Sequence, residues 1–249
     1  MNKGKILKDL ELEGFSLIEN FLTNQEIDIS VTNIEKNIKD QNNKVYSVRN
    51  ENTGGDKRLF AFENTCRISY ELKHNSLINE IANKYCKDKL KSYFILAGKV
   101  SFKKNENTNS GGDWHKDSDE KQIKAMVYLN DVGHDNGPLL FITDSKLKEP
   151  KRRKNELTFE SIIHFFKHGS FYPPRYSSSV INEYLTENNF SVKKLTAKKG
   201  TLILFDSSYI HRGDNIKKGH RYSLTSYYHK DNIKTEKSIL KKYGQRFIR

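Results

Sequence analysis

Cysteine is scarce: Cys66 and Cys86 are the two in 249 residues and form no CxxC arrangement. This leaves no disulfide framework and suits a reducing compartment. There is no run of eighteen apolar residues, which excludes an ordinary membrane-spanning helix. The start, Met1-Asn2-Lys3-Gly4-Lys5, leads into an amphipathic segment rather than the apolar stretch of a signal peptide. Repeats of solenoid type are absent as well. A soluble, cytoplasmic protein is the expectation.

A chain of this length accommodates one large β domain with flanking helices and a substantial core. Its charge is uneven. Residues 1 to 144 carry a net of −1 and residues 145 to 249 a net of +14, which together give the overall +13. A cationic half attracts anions, whether phosphate-bearing metabolites, lipid head groups or nucleic acid, or else forms a solvated face.

The most informative feature is Trp114-His115-Lys116-Asp117-Ser118, answered about a hundred residues later by His211, Arg221 and Ser223. On a strand, residues i and i+2 share a face, so His115 and Asp117 can reach one ion while Lys116 points away. His211 follows Gly200-Thr201-Leu202-Ile203-Leu204-Phe205, an apolar run of β-formers entered from a glycine turn, and should sit just past the end of a buried strand. Two imidazoles and a carboxylate on one side of an octahedron suit Fe(II) with open positions, unlike a closed zinc site. His74, His134, His164, His168, His220 and His229 lack such context.

Gly213-Asp214-Asn215-Ile216-Lys217-Lys218-Gly219 reads as a turn between two strands. If the turn is a hairpin centred near residue 216, His211 and Arg221 lie opposite each other, roughly 5 Å apart at Cβ, with Ser223 next on the same face. A guanidinium and a hydroxyl beside the metal would grip a carboxylate. In Gln122 to Leu129, alternation puts Ile123, Ala125, Val127 and Leu129 on the core face and Gln122, Lys124, Met126 and Tyr128 on the other. A mid-strand lysine is costly to bury unpaired, so Lys124 either faces water or meets an anion in the pocket, with Tyr128 beside it.

Four stretches now resemble one family. They are Leu10 to Leu22; Gly111-Gly112-Asp113-Trp114-His115-Lys116-Asp117; Tyr128-Leu129-Asn130-Asp131 running to Asn136-Gly137-Pro138-Leu139; and Phe205-Asp206 through His211-Arg212-Gly213 to Arg221-Tyr222-Ser223. Each is weak alone, but their order and spacing resemble the phytanoyl-CoA dioxygenase-like branch of the Fe(II)/2-oxoglutarate-dependent dioxygenases. The resemblance implies a mainly β double-stranded β-helix, a jelly roll of cupin type, with flanking helices. It implies Fe(II) on His115, Asp117 and His211, and 2-oxoglutarate chelating the iron with its far carboxylate on Arg221 and Ser223. With O2, a substrate C–H bond would be hydroxylated as succinate and carbon dioxide are released. Related halogenases lack the carboxylate ligand, and here Asp117 is present. Where the family often has Pro-Gly-Ser-His, this chain has Ile142-Thr143-Asp144-Ser145-Lys146, a departure that bears on the substrate side.

Within one domain, residues 1–92 are expected as helical and strand support, 93–144 and 197–230 as the jelly-roll core, and 145–196 as an insertion shaping a substrate lid. Residues 5 to 45 read as helix, strand and helix, with Thr23 or Asn24 as a cap. Glu51 to Lys57 read as a loop, and residues 70 to 92 as helix around Leu72, Leu77, Ile78, Ile81 and Tyr85. The expected substrate is a small or conjugated metabolite, a carbohydrate or lipid intermediate of anionic character. Protein side-chain hydroxylation of the prolyl type and a non-enzymatic β-barrel binding module are the alternatives. Alkylated-base demethylases add a second arginine six residues after the first; Tyr227 stands there, which counts against nucleic acid.

Overall fold

The computed structural model describes residues 2–40, 45–47, 55–104, 113–146, 148, 150 and 175–248. Helix α1 (Lys3–Glu13) begins on the Asn2 side chain, which accepts from the Lys5 N–H. It stops at Gly14, whose left-handed backbone lets its N–H reach Leu10 O. Strand β1 (Phe15–Ile18) follows. Thr23 and Glu26 form a reciprocal capping box at the head of α2 (Asn24–Lys39). Next come β2 (Tyr46–Ser47), β3 (Asp56–Phe60), α3 (Arg67–Lys73) and α4 (Ser76–Cys86), the helices burying Leu72, Ile78, Ile81 and Tyr85 as the pattern required.

The remaining elements are β4 (Leu90–Ser101), β5 (Trp114–His115), β6 (Ile123–Tyr128), β7 (Leu139–Phe141), β8 (Arg175–Tyr176), α5 (Ser178–Asn188), β9 (Lys193–Leu195), β10 (Leu202–Asp206), β11 (His211–Gly213), β12 (His220–Lys230) and α6 (Ile233–Tyr243). The strands form two antiparallel sheets, ordered β1-β10-β6-β12-β4-β3-β2 and β8-β5-β11-β7-β9. Strands distant in sequence lie side by side, β1 with β10 and β5 with β11. This is the jelly roll.

Period-two alternation sorts the side chains into layers. Ile123, Ala125 and Val127 of β6, Leu202 and Leu204 of β10, and Leu224 of β12 face outward into a core shared with α1 to α4. Met126, Tyr128, Ile203 and Phe205 face inward and meet Leu139, Phe141 and Leu195 of the smaller sheet. That sheet's outer face, with Trp114, Leu140 and Tyr176, is covered by Val180, Ile181 and Tyr184 of α5. The inner space is lined by residues of β3, β4, β6 and β12 from one sheet and of β5, β8 and β11 from the other.

Several expectations need correction. Asp56 and Lys57 open β3 rather than closing a loop, because they pair with Val100 and Lys99 of β4; residues 51–54 lie outside the described residues. The β pattern starts at Leu90 rather than Tyr93. Residues 147, 149 and 151–174 of the expected lid lie outside the described residues, and the rest of 145–196 supplies both edge strands of the smaller sheet, β8 and β9. The hairpin after His211 does not form. The Asp214 N–H donates to Pro138 O, the Lys217 and Lys218 N–H groups to Asp135 O, and Ile216 bridges Asn136. The turn fastens onto the Asn-Gly-Pro turn instead of folding back on itself, so β11 joins one sheet and β12 the other. Gly137 permits this with φ 78°; a Cβ there would meet Ile216 Cγ1 at 2.7 Å.

Gly200 is a second position only glycine fits. Its φ is 79°, its N–H donates to Tyr128 O, and its carbonyl accepts from the Phe21 and Leu22 N–H groups, seating the amino-terminal segment on β10. A Cβ would lie 2.5 Å from Leu22 O. Gly200→Ala is expected to cost at least about 1–3 kcal/mol, read as a lower urea midpoint; an unchanged midpoint would show that this contact holds nothing.

Candidate functional site

His115 and His211 are directly paired residues on β5 and β11, their ring centroids 4.6 Å apart. Antiparallel partners share a face, so both imidazoles enter the inner space. Each ring is oriented by its own backbone: Nδ1 of His115 lies 2.8 Å from Asp113 O, and Nδ1 of His211 lies 2.8 Å from Tyr209 O. A carbonyl can only accept, so Nδ1 carries the proton and Nε2 offers a lone pair to the cavity. Asp117 lies in the bend beyond β5, its N–H donating to Ser207 O. Its Oδ1 is 3.9 Å from Nε2 of His115 and its Oδ2 3.3 Å from Nε2 of His211. The three donors lie within 4.8 Å of one another. An ion about 2.1 Å from each donor spans pairs up to about 4.2 Å, which covers both histidine–aspartate pairs. This nitrogen and oxygen set fits a first-row divalent metal.

Lys124 is buried on β6 with its Nζ 2.5 Å from Asp117 Oδ2. Burial opposes charge on both groups, yet each sustains the other. Lys124 and the two imidazoles hold the Asp117 carboxyl well below the usual range, and Asp117 holds the Lys124 ammonium high. Burial, then the neighbouring His211, pushes His115 down to about 3. The metal-facing histidine is therefore neutral and ready to ligate at neutral pH.

Arg221, Ser223, Thr225 and Tyr227 alternate inward along β12 and line a cavity of about 500 Å³ together with His115, Asp117, Lys124 and His211. Arg221 stands on the sheet facing His211 rather than beside it in a hairpin. The Asn-Gly-Pro turn places it: Arg221 Nη1 donates to Gly137 O, while Asn130 and Asn136 donate to the His220 carbonyl and Asn130 Oδ1 accepts from the Tyr222 N–H. Burial lowers the Arg221 pKa from its ordinary value, with Tyr128 and Asp56 opposing. Ser223 faces Gly98 of β4, whose missing side chain leaves space above the serine hydroxyl. Tyr128 is not among the lining residues. It is fully buried, donating to Leu195 O at 3.2 Å and accepting from the Leu139 N–H at 2.9 Å.

The sequence reading passed over several residues. Asp206 is fully buried at the end of β10, where it accepts from Tyr85 Oη, Lys146 Nζ, the Gln122 N–H and both the N–H and hydroxyl of Ser208. It fixes the turn that leads from β10 to His211. Its place in the Phe205-Asp206 motif was the one available signal. Arg58, Lys242, Tyr243 and Arg246 also line the cavity, and nothing in their spacing announced it; Arg175, from the insertion expected to shape substrate access, lines it too.

The sequence matches the model of the phytanoyl-CoA dioxygenase (PhyH) family over residues 10–221. The chain belongs to the PhyH family. It is thereby an iron- and 2-oxoglutarate-dependent, oxygenase-type enzyme. Solved structures share its fold at low identity. SnoN, a non-haem α-ketoglutarate-dependent epimerase of nogalamycin biosynthesis, in complex with Fe3+, α-ketoglutarate and nogalamycin RO, gives a TM-score of 0.67 at 11% identity over 92% of this chain and 83% of its own. SnoK, a carbocyclase of the same biosynthesis, gives 0.65 at 14% over 91% and 83%. HygX from Streptomyces hygroscopicus, with nickel, 2-oxoglutarate and hygromycin B bound, gives 0.60 at 11% over 91% and 87%. None of the curated proteins compared matches the sequence. No described helix of this PhyH-family chain is long and apolar enough to cross a membrane.

The neutral, partly buried histidines set a pH response. His115 and His229, the latter pushed down to about 4 by burial and then by Lys124, take up protons in the unfolded chain near 6.5 but in the folded chain only far below it. Their contribution to stability is complete above 6.5 and is lost as pH falls from there. Chelator-treated protein should lose up to about 1.4 kcal/mol per pH unit for each proton between pH 6.5 and 4.5, measured by urea unfolding. His229→Gln should halve the slope. A flat profile would contradict the burial of both rings.

Proposed function

We propose that His115, Asp117 and His211 hold Fe(II), that 2-oxoglutarate chelates it with its far carboxylate on Arg221 and Ser223, and that the protein hydroxylates a small or conjugated metabolite. The observation that carries this reading is the convergence of two cavity-facing Nε2 atoms and one carboxylate on a cavity that also receives a buried arginine. Bound iron and 2-oxoglutarate would supply the oxidising power, consuming O2 and releasing succinate and carbon dioxide.

The protein's own residues do the rest. Asp113 O and Tyr209 O keep the two rings in the ligating tautomer. Lys124 engages Asp117 Oδ2, keeping the carboxylate anionic and available to the metal. Arg221, held by Gly137 O, presents its guanidinium as a fork to a carboxylate, and the Ser223 hydroxyl adds a donor. Tyr128 acts from behind, pinning Leu139 and Leu195 beneath Arg221. Phe205 and Phe141, with ring centroids 5.4 and 6.5 Å from His211, keep water from one side of the centre.

The compounds bound to SnoN and HygX favour a small-molecule substrate over a protein side chain. An ionised Asp117 in place favours hydroxylation over halogenation. Because SnoN is an epimerase and SnoK a carbocyclase, product mass is the deciding readout.

Anaerobic addition of Fe(II) and 2-oxoglutarate should give a weak visible charge-transfer band, which a mere binding module would not. Asp117→Ala should abolish it and all oxidation. Arg221→Ala should weaken 2-oxoglutarate binding roughly 10- to 100-fold, as loss of a charged hydrogen-bonding partner does; equal affinity would remove that anchor. Aerobic incubation with metabolite extracts should then yield a product heavier by one oxygen.

A further inference from the structure

An ammonium group stands closer to the three ligands than holding a metal requires. We infer that Lys124 is a counter-cation built into the centre, which loosens the grip of His115, Asp117 and His211 on a divalent metal until an anionic co-substrate arrives, so that metal and 2-oxoglutarate bind cooperatively. The identity of that anion rests on the oxygenase reading; the effect of Lys124 on the metal does not.

The lysine is fixed where it stands. β6 runs between β10 and β12, and the direct partners of Lys124 on those strands are Phe205 and Tyr227. Directly paired residues share a face, and all three line the cavity. Nζ lies 4.6 Å from the ring centre of Tyr227 and 6.0 Å from that of Phe205, faces that attract a cation. Lys124 is only 7% exposed, so its ammonium does not reach out to water as a surface lysine does. Its ionic partner is Asp117 Oδ2, at 2.5 Å.

Ligating imidazoles are neutral, so the three ligands bring one negative charge, that of Asp117, and Lys124 answers it before any ion arrives. A divalent ion on Asp117 comes within a few ångströms of the ammonium. In a buried site like charges at such a distance repel far more than in water, so Lys124 favours the metal-free centre over the loaded one and weakens metal binding. The keto acid end of 2-oxoglutarate carries a carboxylate to the same spot, and its charge offsets the repulsion. Metal and co-substrate must then tighten each other by the same factor. A lysine that merely oriented Asp117 would do the opposite and strengthen metal binding. Asp117 is already anchored through its own N–H, which donates to Ser207 O.

The probe is redox-inert Zn(II), its affinity for the full-length protein measured by competition with a chromophoric chelator, with and without 2-oxoglutarate. Wild-type protein should bind Zn(II) at least tenfold more tightly when 2-oxoglutarate is present. Without 2-oxoglutarate, Lys124→Met should bind Zn(II) at least tenfold more tightly than wild type, and the gain from adding the co-substrate should shrink about tenfold. Lys124→Arg, which keeps the charge, should behave as wild type, and Lys124→Gln repeats the comparison should the methionine variant fail to fold. Weaker Zn(II) binding in the methionine and glutamine variants would overturn the inference and leave Lys124 an orienting residue. So would an equal gain from 2-oxoglutarate in every variant, or a wild-type affinity indifferent to 2-oxoglutarate while the Fe(II) complex shows its charge-transfer band. Absence of that band would instead strike the co-substrate of the oxygenase reading, and the comparison of wild type with Lys124→Met on Zn(II) alone would still decide what the lysine does.

Discussion

Everything at this centre depends on one cross-strand pair. His115 and His211 face each other on β5 and β11 because antiparallel pairing gives directly opposed residues a common face. Two carbonyls then fix which nitrogen each ring presents. A strand pair so short would not hold rings in place by itself. The support comes from behind, where Arg212 stacks its guanidinium 4.8 Å from the Trp114 ring centre and α5 covers the sheet. From the side, Asp206 gathers donors from α4, from the segment before β6 and from the turn before β11.

The cavity also shows how buried charge is tolerated. Lys124 and Asp117, drawn from opposite sheets, are costly alone and stable together. The same pairing recurs at Arg58 and Asp56 on β3. Such pairs let a β-sandwich, whose interior is ordinarily apolar, carry several ionised groups in one chamber. The apolar half of that interior, around Phe141, Ile203 and Phe205, is closely packed and supplies the rigidity.

How much of this was legible depended on range. His115 with Asp117, and the split of Gln122 to Leu129 into two faces, could be read because period two is local; for Lys124 the cost of burial left water or an anion open, and the structure pairs it with Asp117. The capping box at Thr23 was local too. Arg221 was correctly placed in the cavity for an incorrect reason. The turn between residues 213 and 219 has hairpin composition, but its hydrogen bonds go to residues 135 to 138, a partner that no local pattern encodes. Arg58 and Arg246 were hidden for the same cause, since their faces depend on which distant segment each joins.

The opposition of His115 and His211 carries a kinetic consequence. β5 and β11 can meet only after long stretches of chain have closed, a slow and late event in jelly-roll topologies. An unfolded or half-folded chain therefore offers a metal His115 with Asp117 but not His211, and never the complete set. Capture of the ion then coincides with completion of the smaller sheet, and the metal acts as a latch on a finished barrel rather than a seed around which it condenses.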